Sequence, residues 1–379
     1  AFLDGVDGIA VVTATVAGTD LGTTRPLVRV AWAVADTAVR AEMWARAVDA
    51  AGGCAGEDLS GLAHRYRVGP AAIVRAVSST MLATGSDRPL DAATLASGLR
   101  HNIAERLGGL ATRVEVTQSW DDLVIGDDTA DLIAGVVGRV RHAHQVLDRW
   151  GYRSKIARGA GVAALFSGAP GTGKTMVAGL IAKELDLELY QVDLGNVVSK
   201  WVGETEKNLA RVFDAAEEGH ALLLFDEADA LFAARSSEVK SANDRYANLE
   251  VNYLLQRVEA FGGITILTTN LDTAIDPALK RRLAANIVFG MPDEDERCQL
   301  WERQTATGTA PLARDLDPEA LSRAFPLMSG ANIRNAAISA AFLAASDASV
   351  TITQQHLARA ARAEYRAMGH MVTDAIARR

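Results

Sequence analysis

Three groups of residues, far apart in the chain, have the types and spacing to handle a phosphorylated substrate. The first is Gly168-Ala169-Pro170-Gly171-Thr172-Gly173-Lys174-Thr175, which follows the apolar run Val162–Phe166 and precedes a helical pattern beginning at Met176. Strand, glycine-rich loop and helix together are the context of a phosphate-binding loop. Glycines let backbone N–H groups converge on phosphate oxygens with no Cβ in the way, and the helix adds the positive end of its dipole. In such a loop Lys174 reaches the β- and γ-phosphates and Thr175 holds Mg²⁺. Gly168, Pro170, Gly171, Thr172, Gly173, Lys174, Thr175 and Met176 are therefore the expected cradle.

The second group is Asp226-Glu227, delivered by the apolar run Ala221–Phe225. A strand of that composition buries itself in a sheet and presents two carboxylates at its exposed end. Asp226 would act on Mg²⁺, directly or through water, and Glu227 would orient and deprotonate the attacking water. An apolar strand ending in acidic residues is common by itself, and its place downstream of Lys174 makes the pair more specific. The third group is Asn270, at the end of Thr268-Thr269-Asn270. Its amide can bond both the γ-phosphate and the lytic water, although an Asn opening a turn before Leu271-Asp272 is ordinary chemistry as well.

The elements that must position these groups alternate along the chain. Apolar runs at 162–167, 187–192, 221–225, 264–268 and 286–289 are separated by helical patterns, which predicts a doubly wound parallel α/β sheet with ligand at the carboxyl ends of its strands. Upstream, Leu132, Ile133, Val136, Val137, Val140 and Val146 predict one helix from about Asp128 to Trp150. After Pro292 the pattern turns wholly helical, implying a separate α-helical lid.

The loop, Asp226-Glu227, Thr268–Asn270 and Asp276-Pro277-Ala278-Leu279-Lys280-Arg281-Arg282 together resemble the AAA+ ATPases, in the AAA branch proper, over about residues 115–375. The resemblance implies a P-loop NTPase fold, ATP and Mg²⁺ as cofactors, and a homo-oligomeric ring, usually of six subunits. Each nucleotide then sits at a subunit interface, with arginines from the neighbour completing the site. Arg281 matches the first of these arginine fingers. The position expected for the second holds Ala284, and the adjacent Arg282 is either its substitute or a solvated charge. Val124, Ile125 and Gly126 are expected to contribute to nucleotide binding, and Arg334, in Ser329–Arg334, is either a second sensor or a surface residue. Ser199–Lys207 resembles the first pore loop, in which Lys200, Trp201 and Val202 would grip a threaded polypeptide; Ala234–Asp244 is either a second pore loop or a plain surface loop. The wording around Ser199–Leu209, Asp244–Asn248 and Gly330–Asn335 is similar to bacterial AAA ATPases encoded with phage-tail-like contractile injection systems.

Residues 1–114 lack a phosphate loop, yet they echo residues 256–371. Gly8–Thr13 parallels Gly263–Thr268, and Val28–Trp32 parallels Ala285–Phe289. Arg40 and Trp44 recur at equal spacing as Arg297 and Trp301, Leu62–Tyr66 as Leu321–Phe325, and Leu95 and Arg100 as Leu357 and Arg362. Such self-similarity predicts the last strands and helical lid of a degenerate AAA-like module. Most of its chemistry is missing, since Thr15 stands for Asn270, Thr24-Arg25 for Arg281-Arg282 and Val74 for Arg334. The alternative is a winged-helix DNA reader with a helix-turn-helix at Leu59–Tyr66 and Pro70–Leu82, whose second helix has one basic residue, Arg75. The expected domains are thus 1–114, the degenerate part; 115–291, the nucleotide-binding domain; and 292–379, the lid.

Composition narrows the classes. With 379 residues, 49% of them hydrophobic, the chain can fill two or three cores. A net charge of −8 and no basic stripe argue against nucleic acid as partner. No apolar run is long enough for a membrane span, and the start lacks the charged region of a secretion signal. Cys54 and Cys298 fit neither a disulfide framework nor a metal site, which makes a reducing cytoplasm the expected location. The first residue is Ala1, which suggests a fragment or processed form. No His-Glu-x-x-His run occurs, which counts against a fused zinc protease of that kind. The expected function is a Mg-ATP hydrolysing ring that remodels or threads protein clients, with a nucleotide-gated scaffold or a DNA-directed loader as competing readings.

Overall fold

A computed structural model of the chain shows the architecture. It describes residues 4, 9, 12, 22–28, 35–53, 59–66, 68–84, 90–155, 161–197, 204–219, 221–229, 253–270, 280–306 and 308–371. The centre is a six-stranded sheet built from β1 (Ala111–Val114), β2 (Val162–Gly168), β3 (Glu188–Val192), β4 (Ala221–Phe225), β5 (Ile264–Thr269) and β6 (Ala285–Phe289). Their order is β1-β3-β4-β5-β2-β6. All neighbours pair in parallel except β1, which runs antiparallel to β3 with Ala111 opposite Val192.

Parallel strands are covered on both faces, and their sequences show it. Every residue of β4 is buried, and its side chains divide by parity. Leu222 and Leu224 join Ala164, Phe166, Val177, Ile181 and Ile266 in a core under α5 (Asp127–Arg141) and α6 (Lys174–Glu184). Ala221, Leu223 and Phe225 point the other way, to Val212 and Phe213 of α8 (Glu204–Gly219). Between β3 and α8 lies the short α7 (Leu194–Val197). The helical stretch predicted over 128–150 divides in two. After Val140 the apolar stripe is interrupted by Arg141, His142 and His144, α5 ends at Arg141, and a π-helical turn follows over His144–Arg149.

The strand β1 has no counterpart among the predicted runs. Its four residues, Ala-Thr-Arg-Val, carry too little periodicity to stand out, and they were placed with the N-terminal part by the boundary at 114. They close the edge of the central sheet instead. Arg113 donates to Glu188 at 2.6 Å and so fastens β1 to the start of β3.

The helices after β6 form their own core. They are α9 (Glu294–Thr305), α10 (Pro318–Ala324), α11 (Gly330–Ser346) and α12 (Gln354–Ala367), built around Trp301, Phe325, Met328, Ile333 and Tyr365. Capping boxes start α9 at Asp293, α11 at Ser329 and α12 at Thr353, satisfying orphan N–H groups. A four-helix group also precedes the sheet: α1 (Thr37–Ala50), α2 (Ser60–Arg65), α3 (Pro70–Thr84) and α4 (Ala92–Leu107). The repeated Arg and Trp do the same job in both groups. Arg40 Nε donates to the Ala63 carbonyl at 3.0 Å, and its Nη1 bonds to the Ala35 carbonyl. Arg297 Nε donates to the Ser322 carbonyl at 3.2 Å, and its Nη1 to the Pro292 carbonyl at 2.6 Å. Both arginines are buried, and Trp44 and Trp301 are fully so. The strand part of the repeat, Gly8–Thr13 and Val28–Trp32, lies almost entirely outside the described residues. Unlike the C-terminal helices, α4 shares a core with the sheet and packs on α8 and β1.

Candidate nucleotide site

At its carboxyl end β2 turns through the glycine-rich loop into α6. Gly168 has φ +148°, and a Cβ there would land on the Phe289 carbonyl oxygen of neighbouring β6. Gly173, at φ +99°, caps α6, so the loop's amides face the cleft ahead of the helix. Lys174 is the first residue of that helix and is 8% exposed. Its Nζ donates to the Gly168 carbonyl at 2.7 Å, to the Ala169 carbonyl at 3.0 Å and to Asn270 Oδ1 at 3.0 Å. Burial pushes its ammonium below the ordinary lysine range, while the charges of Asp226, Asp229 and Glu227 pull it back up. The structure brings Lys174, Asp226, Glu227 and Asn270 together in one cleft.

The carboxylates leave β4 into a tight turn. Gln191 Nε2, from β3, donates to Asp226 Oδ2 at 2.9 Å, and Thr268 Oγ1, from β5, donates to Asp226 Oδ1. Glu227 has φ +52°, and its N–H donates to Thr268 Oγ1 at 3.0 Å. Asp229 closes the turn by accepting from Thr269 Oγ1 and, at 3.0 Å, from the Asn270 N–H. Sequence reasoning missed Gln191, Thr268 and Asp229. The available signal was register: Phe225 lies opposite Leu267 and Val192, so Asp226, just past β4, falls beside the carboxyl ends of β5 and β3, where Thr268 and Gln191 sit.

Lys174, Asp226, Glu227 and Asn270 line a cleft of about 890 Å³. Its other walls are residues 122–129, which include Val124, Ile125 and Gly126; the loop residues Pro170–Met176; residues 289–293 after β6; and, from the helical domain, Leu300, Gln304, Ala331 and Arg334. The helical domain grips both sides of the cleft. The Ala331 N–H donates to the Gly171 carbonyl at 3.2 Å, and Arg303 donates to the Leu123 carbonyl at 2.7 Å. Arg281 and Arg282 are exposed, and neither lines this cleft. Arg282 pairs with Glu259 of its own chain at 3.0 Å. Lys200, Trp201 and Val202, the segment Ala234–Asp244, Asp276–Leu279 and Cys54 lie outside the described residues.

The donor set suits Mg²⁺. Among the described residues no group of three or more His, Cys, Asp and Glu gathers as a cage. Mg²⁺ keeps several waters and takes one or two carboxylates plus substrate phosphates. The Asp226 carboxylate, held by two donors with its remaining lone pairs toward the cleft, and the exposed Thr175 hydroxyl supply that kind of site.

Comparison with known proteins agrees with this geometry. Residues 164–291 match the ATPase family associated with various cellular activities (AAA). The chain is 35% identical over 162 residues to the cell division cycle protein 48 homolog of Archaeoglobus fulgidus, covering 42% of this chain and 22% of that protein. It is 31% identical over 192 residues to an uncharacterized AAA family ATPase of Sinorhizobium fredii, covering 50% and 55%. With the 26S proteasome subunit RPT4 of Saccharomyces cerevisiae it shares 28% identity over 308 residues, covering 76% and 69%. The chain thus spans about a fifth and about half the length of the first two relatives. Residues 164–291 are thus similar to an AAA ATPase domain. Among the described residues no helix is long and apolar enough to cross a membrane.

Proposed function

We propose that the chain is a Mg-ATP hydrolysing AAA+ ATPase that works as a homo-oligomeric ring, of six subunits by family habit, and remodels or threads protein clients. One observation carries the reading: the cleft gathers Lys174, Asp226, Glu227 and Asn270, whereas Arg281 stands exposed outside it. Phosphoryl transfer needs positive charge opposite the developing negative charge of the γ-phosphate. Arg281 can supply that only to a neighbour's cleft. Arg282, engaged with Glu259, is the weaker candidate for a second finger.

In this reading Lys174 exchanges its bonds to Asn270 and to the loop carbonyls for phosphate oxygens, and Asn270 is freed to hold the lytic water. Glu227 takes the water's proton. Thr175 and Asp226 would hold Mg²⁺, which when bound neutralises charge on the β- and γ-phosphates. Arg334 reaches the cleft from the helical domain and would sense the phosphate tail there. Val124, Ile125 and Gly126 would flank the base, and Lys200, Trp201 and Val202 would grip a polypeptide in the ring channel.

For residues 37–107 we favour a degenerate lid over a winged-helix DNA reader. What supports this is the shared clasp of Arg40 and Arg297 on a carbonyl of the second helix of each group, with a buried Trp one helical turn on. The client is a protein, and a component of a contractile injection particle fits the motif wording around Ser199–Leu209. A cytoplasmic location fits the same reading.

The test is ATPase rate per subunit against protein concentration, for wild type and Arg281→Ala, with oligomer mass measured alongside. An interface-completed ring gives specific activity that climbs with assembly, and loses about 10³-fold with Arg281→Ala while ATP binding survives. Equal turnover by dilute monomers would remove the arginine finger from this account.

A further inference from the structure

We propose that Thr268 is the positioning residue of both active-site carboxylates, through a single hydroxyl whose hydrogen-bond direction is fixed; this rests on the Mg-ATP reading above. Thr268 is 1% exposed, at the carboxyl end of β5. A threonine hydroxyl has one proton and two lone pairs. The Glu227 N–H can only donate, so at that 3.0 Å contact Oγ1 must accept. Its own proton is then committed to Asp226 Oδ1. Gln191 occupies the other oxygen at 2.9 Å. Asp226 accordingly accepts at both oxygens, the arrangement of an ionised carboxylate whose remaining lone pairs are presented to a cation.

The same residue also fixes the turn. The Ala228 N–H donates to the Thr268 carbonyl at 2.9 Å, so Asp226, Glu227 and Ala228 are all tied to one threonine. That tie matters because Glu227 sits at φ +52°, a left-handed conformation that disfavours a non-glycine residue. The bond from its N–H holds the backbone there and aims the carboxylate into the cleft. Loss of the hydroxyl would take from the Glu227 N–H its Thr268 acceptor, free Asp226 to rotate, and let the Glu227 turn relax toward negative φ.

Thr268→Val replaces the hydroxyl by a methyl of similar shape and keeps a β-branched strand residue, while Thr268→Ser restores the hydroxyl. Two readouts are taken on the full chain: steady-state ATPase, and binding of a fluorescent ATP analogue with Mg²⁺ and with EDTA. Thr268→Val is expected to lower kcat by about 10²-fold. It should also lose the Mg²⁺-dependent gain in analogue affinity, and Thr268→Ser should recover both. Should the valine variant unfold, Thr268→Ala takes its place under the same criteria. A valine variant with wild-type kcat and Mg²⁺ response overturns the proposal, as does a serine variant as impaired as valine. If wild type shows no turnover, the hydrolase reading fails, and the Mg²⁺-dependent binding of the three proteins alone decides the role of Thr268.

Discussion

Lys174 has all three protons committed before any nucleotide arrives, two of them to the carbonyls of its own loop and one to Asn270. ATP must break that clasp, and the exchange is favourable because phosphate oxygens carry full charge where the present acceptors are neutral. Lys174→Met should weaken ATP binding by at least about 3 kcal/mol, measured by titration with a fluorescent analogue. Glu227→Gln keeps the size and the N–H of Glu227 but removes the base. It should bind ATP normally and lose about 10²–10⁴-fold in kcat by single-turnover hydrolysis, whereas a scaffold's client assembly would not respond to it. Tyr190 offers a test away from the cleft. Its hydroxyl is buried with no hydrogen-bond partner among the described residues, and burial raises its phenol to about 12. The neutral form is thus favoured in the folded state, so stability is intact below about pH 10, where both states are protonated, and is lost as pH rises from 10 toward 12. Urea unfolding at pH 9 and pH 11 should show about 1 kcal/mol of that loss, with the rest falling above pH 11, and Tyr190→Phe should abolish it without cost at pH 7.

The elements that carry these residues were legible to different degrees. Each apolar run from Val162 to Phe289 became a strand within one or two residues of its predicted bounds, because a sheet covered on both faces demands unbroken apolar composition. Lys174, Asp226, Glu227 and Asn270 were readable for the same reason, since each follows such a run by at most a short loop. Gln191, Thr268 and Asp229 were not readable, since their roles come from lateral register, which a single chain does not spell out. The edge strand β1 was missed because it is four residues long and half exposed. The helical clasp was half legible: spacing paired Arg40 with Arg297, but only the fold shows both reaching backbone carbonyls. Methionine at either position removes a buried, multiply bonded charge and strands those carbonyls. Arg297→Met and Arg40→Met should each cost about 2–4 kcal/mol by chemical denaturation. Gly98 gives a third check, since a Cβ there would collide with Thr80 Oγ1 and the Ala76 carbonyl where α4 crosses α3. Gly98→Ala should destabilise the N-terminal helices by about 1–3 kcal/mol, seen as faster amide exchange over α3 and α4.

At the scale of the whole molecule the two helical groups are joined to the sheet differently. The helices α9–α12 keep a core of their own and reach the nucleotide loop through Ala331 and Arg303, the arrangement of a part that can swing. The helices α1–α4 are welded on: Arg211 of α8 donates to the Arg106 carbonyl at 3.1 Å, Arg100 pairs with Glu188 at 3.6 Å, and the apolar core runs through from Trp44 to Phe225. Only Gly108, Gly109 and Leu110 separate α4 from β1. The prediction is that unfolding of α1–α4 coincides with unfolding of the sheet, while α9–α12 separate from it when nucleotide is absent. The molecule carries the means to see this without any added label. Trp44 and Trp301 are the fully buried indoles of the two helical groups, and they lie in different cores. Their ultraviolet emission should shift to longer wavelength at whichever denaturant concentration opens each core. Trp44→Phe and Trp301→Phe therefore turn one intrinsic spectrum into two separate channels, one reporting the sheet with its fused helices and the other the C-terminal helical domain.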